Sequence, residues 1–117
     1  MQLDIALSPA LLRADEAEPD LIERAKKDPT AFATLYRQHY AIVARYILRR
    51  IGDTHTSEDL TAEVFLLALR YLPRYRQRGL PLRVWLYRIA INVINRWIRR
   101  ERWRNRLGEF FSRGLLG

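Results

Sequence analysis

Arg88, Asn92, Asn95 and Arg99 recur at spacings i, i+4, i+7 and i+11. On a helix that spacing puts all four on one narrow polar stripe, which Arg106 extends. Asparagine and arginine hydrogen-bond base edges and arginine also neutralises phosphate, so the stripe has the chemistry to read a nucleic acid. Two asparagines stand mid-helix despite their poor propensity there. A solvated amphipathic face would explain the arginines, but such a face usually mixes signs, and only Glu101 does so here. Just upstream, Arg74, Tyr75, Arg76 and Arg78 interleave cations with an aromatic ring, a composition suited to single strands whose bases stack while cations track the backbone. Trp103, set among Arg100, Arg102, Arg104 and Arg106, has three readings: stacking on a base, packing on the domain, or sitting in a membrane interface.

A second group has the opposite sign. On a helical wheel Leu60, Val64, Leu67, Ala68 and Tyr71 share one apolar arc, the expected core face, while Asp59, Glu63 and Leu66 line another. Phe65 and Leu69 fall opposite the core arc. Either a neighbouring helix covers them, or they form an exposed docking face whose apolar centre and acidic flanks complement a basic partner. Catalysis finds no support: there is no glycine-rich phosphate loop and no serine–histidine pairing. Asp59 and Glu63 lack a third metal ligand, and His39 and His55 are far apart, so neither enzyme activity, metal nor cofactor is expected.

The elements that must position these groups belong to a chain of 117 residues, 49% hydrophobic, which suits one small domain. The absence of cysteine excludes a disulfide framework and a thiolate site and fits a reducing cytoplasm. Net charge is +8, distributed as −3 over residues 1–30, 0 over 31–69 and +11 over 70–117, where all thirteen cations are arginine. That asymmetry implies a polyanion partner, either nucleic acid or an anionic membrane surface. No apolar run approaches the roughly 18–20 residues that span a bilayer, and Met1 to Leu12 does not resemble a signal peptide, so a soluble, cytoplasmic protein is expected.

Periodicity predicts an all-α domain, a small bundle of about four helices. Residues 1–19 read as a flexible acidic leader, 20–107 as the bundle and 108–117 as a short tail or the start of a linker. The first helix is expected over Asp20–Lys27, capped by Asp20 and ended by Asp28-Pro29. A long helix comes next, from near Thr30 to Gly52, with Phe32, Leu35, Tyr36, Val43, Tyr46, Ile47 and Ile51 as buried candidates. The polar segment Asp53–Ser57 is expected to be a turn offering several possible N-caps, with Glu58 and Asp59 in the first turn of a third helix that runs to about Leu72, where Pro73 stops it, and residues 73–81 form the basic loop. The fourth starts at Pro81 or Leu82, buries Leu82, Leu86, Ile89, Ala90, Val93 and Trp97 with Trp85 at the margin, and is interrupted at Gly108.

The pattern resembles the first conserved domain of bacterial sigma factors, specifically the small extracytoplasmic-function group. The matching segments are Ala31-Phe32 with Leu35-Tyr36, Glu58-Asp59-Leu60-Thr61-Ala62-Glu63-Val64-Phe65, and Trp85-Leu86-Tyr87-Arg88-Ile89-Ala90 followed by Asn92 and Arg99-Arg100, in family order across roughly residues 20–103. The resemblance implies that Asp59, Glu63, Phe65 and Leu66 dock on the clamp helices of the largest catalytic subunit of RNA polymerase core. It also implies that Arg74, Tyr75, Arg76 and Arg78 lie near an extruded base, and that Arg88, Asn92, Asn95 and Arg99 face promoter DNA, the non-template strand of the −10 element, with Trp103 beyond them. An anti-sigma factor covering the third and fourth helices is a further implied partner. Three departures stand out. Ala62 replaces a usual glutamine. The family usually has an acidic residue near Arg96, which predicts the loss of a local ion pair and a still more basic helix here. The second, helix-turn-helix domain that reads the −35 element is absent from these 117 residues. A competing reading makes Arg96 to Leu116, with Trp97, Ile98, Trp103, Leu107, Phe110, Phe111, Leu115 and Leu116 among arginines, an amphipathic membrane-surface helix.

Overall fold

Two aspartates start helices and one glycine ends one. The computed structural model describes residues 17–116; residues 1–16 of the expected leader and the side chains of Leu115 and Leu116 lie outside the described residues. Asp28 breaks the chain as expected and also caps the second helix: its Oδ1 accepts from the Thr30 N–H at 2.9 Å and the Thr30 hydroxyl at 2.8 Å. Pro29 then occupies the first turn, where a missing N–H costs nothing. At Asp53, Oδ2 accepts from the Thr56 N–H at 2.8 Å. These bonds hold both carboxyls below the usual range. Between them the chain turns on Gly52, whose φ of 84° is left-handed and whose N–H reaches Leu48 O at 2.7 Å.

Four α-helices result, with no strand among the described residues: α1 (Glu18–Ala25), α2 (Pro29–Ile51), α3 (Thr54–Tyr71) and α4 (Leu82–Leu116). A 3₁₀ turn, Leu72–Arg74, contains Pro73 and leads into the loop 75–81. α1 begins two residues before Asp20, with Ala17 rather than Asp20 at its cap, because Pro19 suits a first turn and Glu18 is drawn into the interior. α3 packs on α2 and on α4, and α1 closes the end of α2. Ile22, Leu35, Val43, Ile47, Val64, Ala68, Leu72, Leu86, Ala90 and Val93 make the core.

Of the two readings left open for Phe65, cover by a neighbouring helix holds, and several other expectations need correction. Phe65 is only 6% exposed, because Tyr36 and Tyr40 of α2 close over it with ring centroids 4.9 and 6.1 Å away. Tyr71, expected in the core, is 42% exposed, since α3 is ending and α4 covers only its inner side. Tyr36, offered as buried, is exposed at the rim of that aromatic group, and Phe32, Ile51, Ile89, Trp85 and Trp97 are half-buried. Tyr87 and Ile94 are buried although the wheel gives them no such place, Tyr87 by an edge-on contact with Tyr46 at 5.2 Å. Gly108 does not interrupt α4. One helical glycine costs about 1 kcal/mol, too little to stop a helix rich in arginine and leucine. The helix runs 35 residues, about 52 Å at 1.5 Å per residue, and from Arg102 to Gly114 every residue is exposed.

Candidate functional site

The loop 75–81 and the first turns of α4 border an open cavity of about 500 Å³. Arg74, Arg76, Arg78 and Arg88 ring it, and Tyr75 and Trp85 supply aromatic lining. The two rings are tilted against each other with centroids 4.7 Å apart. Burial, with the Glu18 charge added, pushes the Tyr75 phenol up, while Arg88 opposes the shift in part. Trp85 is therefore a site residue, although periodicity places it at the core margin; its position next to a basic loop is the one signal that points to the site.

No acidic side chain stands in the first turn of α4, where the exposed N–H groups and helix dipole favour one. Glu18 supplies the charge from α1: its Oε2 accepts from the Leu82 N–H at 2.9 Å, and its Oε1 lies 3.4 Å from His39 Nε2. His39 Nδ1–H donates to Leu35 O at 2.8 Å. Burial alone would raise the Glu18 carboxyl, but the bonds from His39 and Leu82, with the nearby Arg83 charge, together outweigh it and hold the carboxyl below its ordinary value.

A second concavity, a shallow groove of about 430 Å³, lies between α3 and α4. Asn92, Asn95, Arg96 and Arg99 line it over a floor of Leu67, Tyr71 and Ile89. The stripe Arg88-Asn92-Asn95-Arg99 thus divides, Arg88 serving the cavity and the other three the groove. Tyr71, expected in the core, instead adds an exposed ring there, with Arg70 5.8 Å from its centroid. Arg96 has an ion pair with α3: its Nη2 donates to Glu63 Oε2 at 3.0 Å across the groove edge. Trp103 is 60% exposed and lines neither concavity.

The acidic group is only partly brought together. Asp59 is exposed, with His55 Nε2 3.9 Å away, and Leu66 is 66% exposed on the same side of α3. Glu63 is half-buried and engaged by Arg96, while Phe65 faces inward as the aromatic plug described above. Leu66 and Leu69 are the large apolar groups α3 leaves open beside Tyr71. Among the described residues no three acidic or histidine side chains cluster to hold a metal, and no helix is long and apolar enough to cross a membrane.

Comparison with known proteins gives one consistent result. The family model described as sigma-70 region 2 matches residues 35–104. The chain is similar to the ECF RNA polymerase sigma factor BldN of Streptomyces coelicolor, 40% identical over 86 residues that make up 73% of this chain and 33% of that protein. It is similar to the RNA polymerase sigma factor YlaC of Bacillus subtilis, 37% identical over 67 residues, 57% of this chain and 38% of the other. It is also similar to the ECF RNA polymerase sigma factor SigL of Mycobacterium tuberculosis, 33% identical over 84 residues, 72% and 48% of the two chains. The chain therefore spans between a third and a half of the length of these relatives. No solved structure gives a significant match.

Proposed function

Because the chain belongs to the sigma-70 family, as a region 2 domain of its extracytoplasmic-function group, we propose that it binds RNA polymerase core and captures the non-template strand of a −10 promoter element. The observation that carries the reading is the pair of concavities, one cationic and aromatic and one built from asparagine and arginine, on a face separate from the acidic outer side of α3. In this reading a base extruded from the duplex enters the cavity beside Tyr75 and Trp85 while Arg74, Arg76, Arg78 and Arg88 neutralise the flanking phosphates. Asn92 and Asn95 meet base edges in the groove, and Arg99 holds the strand as it leaves toward Trp103. Opening needs neither ATP nor a catalytic residue: held bases and neutralised phosphates offset an unstacking cost of a few kcal/mol per base. Polymerase docks on Asp59 and Leu66, with Glu63 reinforced by Arg96 and Phe65 stiffening α3 from behind. This takes place in the cytoplasm, where an anti-sigma protein covering α3 and α4 would block both faces.

The test is a selection from labelled single-stranded oligonucleotides followed by anisotropy titration, together with a polymerase pull-down using wild type and Asp59→Arg. Preference for one short sequence, weakened by salt, and loss of polymerase in the variant are expected. A chain that prefers no single-stranded sequence and retains no polymerase sinks the proposal.

A second reading has its own observation. Trp103, Leu107, Phe110 and Phe111 are exposed within one arc of α4, flanked by arginines, as in helices that lie on anionic bilayers. Co-sedimentation with vesicles tests it, and binding that ignores anionic lipid removes it.

A further inference from the structure

The loop that walls the cationic cavity has no helix or strand of its own. Tyr75 leaves the 3₁₀ turn in an extended conformation, with ψ 130°, and itself lines the cavity. Arg74, Arg76 and Arg78 turn to the cavity, whereas Gln77 turns to α1. Contacts from the α1 segment hold the loop at its start, middle and end. Lys26 Nζ donates to Tyr75 O at 2.8 Å. Gln77 Nε2 donates to Glu23 Oε2 at 3.0 Å and to Pro19 O at 3.1 Å. Glu18 accepts from the Leu82 N–H at the point where the loop becomes helix. Glu23 also pairs with Lys26 at 3.0 Å, so the first two attachments share one carboxylate.

We infer that α1 is a positioning element which braces the 75–81 loop in its cavity-forming conformation before any nucleic acid arrives, with Lys26, Gln77 and Glu18 as the positioning residues. α1 lies outside residues 35–104, the span matched to the family model, so the role comes from these contacts and not from that match. The physical effect is entropic. A free loop of seven residues must be ordered during binding, and a braced one binds without that cost. The link to DNA capture rests on the function proposed above; the bracing itself does not.

The experiment uses the 117-residue chain and the variants Lys26→Met, Gln77→Ala and Lys26→Arg. Backbone amide exchange of residues 75–82 and affinity for the selected oligonucleotide are measured, with the thermal midpoint and polymerase pull-down as controls. Lys26→Met and Gln77→Ala should each speed exchange in 75–82 and weaken the oligonucleotide about five- to tenfold, as expected for one lost hydrogen bond. Polymerase retention should not change, and Lys26→Arg should restore both readouts. Unchanged exchange in both variants overturns the bracing. Faster exchange with unchanged affinity overturns the positioning role. If the wild-type chain selects no oligonucleotide, the proposed function fails and the exchange measurement still decides the brace.

Discussion

The two halves of α4 look alike in sequence and differ in what holds them. From Leu82 to Ile98 the helix lies against α2 and α3, and Leu86, Ala90, Val93 and Ile94 are 2% exposed or less. From Arg99 to Gly114 the same mixture of arginine, aromatic and leucine residues makes helix with almost nothing packed on it. The first half is kept helical by the core and so presents Arg88, Asn92 and Asn95 in fixed directions. The second depends on propensity and on local pairs such as Arg104 with Glu101 at 3.1 Å, which contribute a few tenths of a kcal/mol in isolated helices. A side chain that must recognise geometry belongs on the anchored half. The free half suits contacts that tolerate motion, such as charge on phosphate or an apolar stripe on a yielding surface.

The strongest test of that contrast is truncation of the core. Leu86→Ala should cost about 2–5 kcal/mol in urea unfolding, whereas Phe110→Ser should stay within about 0.5 kcal/mol. Equal losses would mean that the second half is packed after all. Next in size, Asn92→Ala should lose about 1–3 kcal/mol of affinity for the selected oligonucleotide with an unchanged unfolding midpoint. Arg106→Ala should instead lower the salt slope by about one with little change in sequence preference.

A smaller effect concerns the start of the anchored half. The Glu18 carboxyl is held below its ordinary value, so the stability it contributes is complete above its unfolded pKa of about 4.3 and is lost as pH falls through the lower folded value. Glu18→Gln should therefore unfold more easily near pH 7 and show a shallower loss than wild type as pH falls below about 5. A parallel acid limb in the variant would remove Glu18 from the account. The smallest effect is Gly108→Ala. Nothing lies within 4 Å of the added Cβ, and the gain of up to about 1 kcal/mol in helix propensity should appear as slower amide exchange around residue 108, with global unfolding unmoved.

Much of the fold is legible because it is local. Asp28-Pro29, Asp53 and Gly52 act on residues within four positions of themselves; the bounds of α2 fall within a residue of expectation, whereas α3, capped by Asp53, starts at Thr54 and takes in residues expected to form a turn before Glu58. The asparagine–arginine stripe follows from helical period alone, and its side chains are exposed. The open alternative at Phe65 and the error at Tyr71 have one source. A wheel places both residues by angle, but it does not know which arc a neighbour will cover. Tyr36 and Tyr40 cover one, and nothing covers the outside of the other. At Gly108 the local stop signal is worth only about 1 kcal/mol, which the rest of the helix outweighs.

The sequence by itself determined four things about this protein: the all-α class, the two ends of opposite sign, the family segments and the chemistry of the asparagine–arginine stripe. Each depends on composition or on spacings of up to a dozen or so residues, which a helix converts into direction. Only the tertiary structure decided that Glu63 is tied to Arg96, that Trp85 faces a cavity, and that Glu18, Pro19, Glu23 and Lys26 hold a loop and helix end 49 to 64 residues away. Those contacts join segments brought together only when hydrophobic burial assembles the bundle, so no local pattern records them.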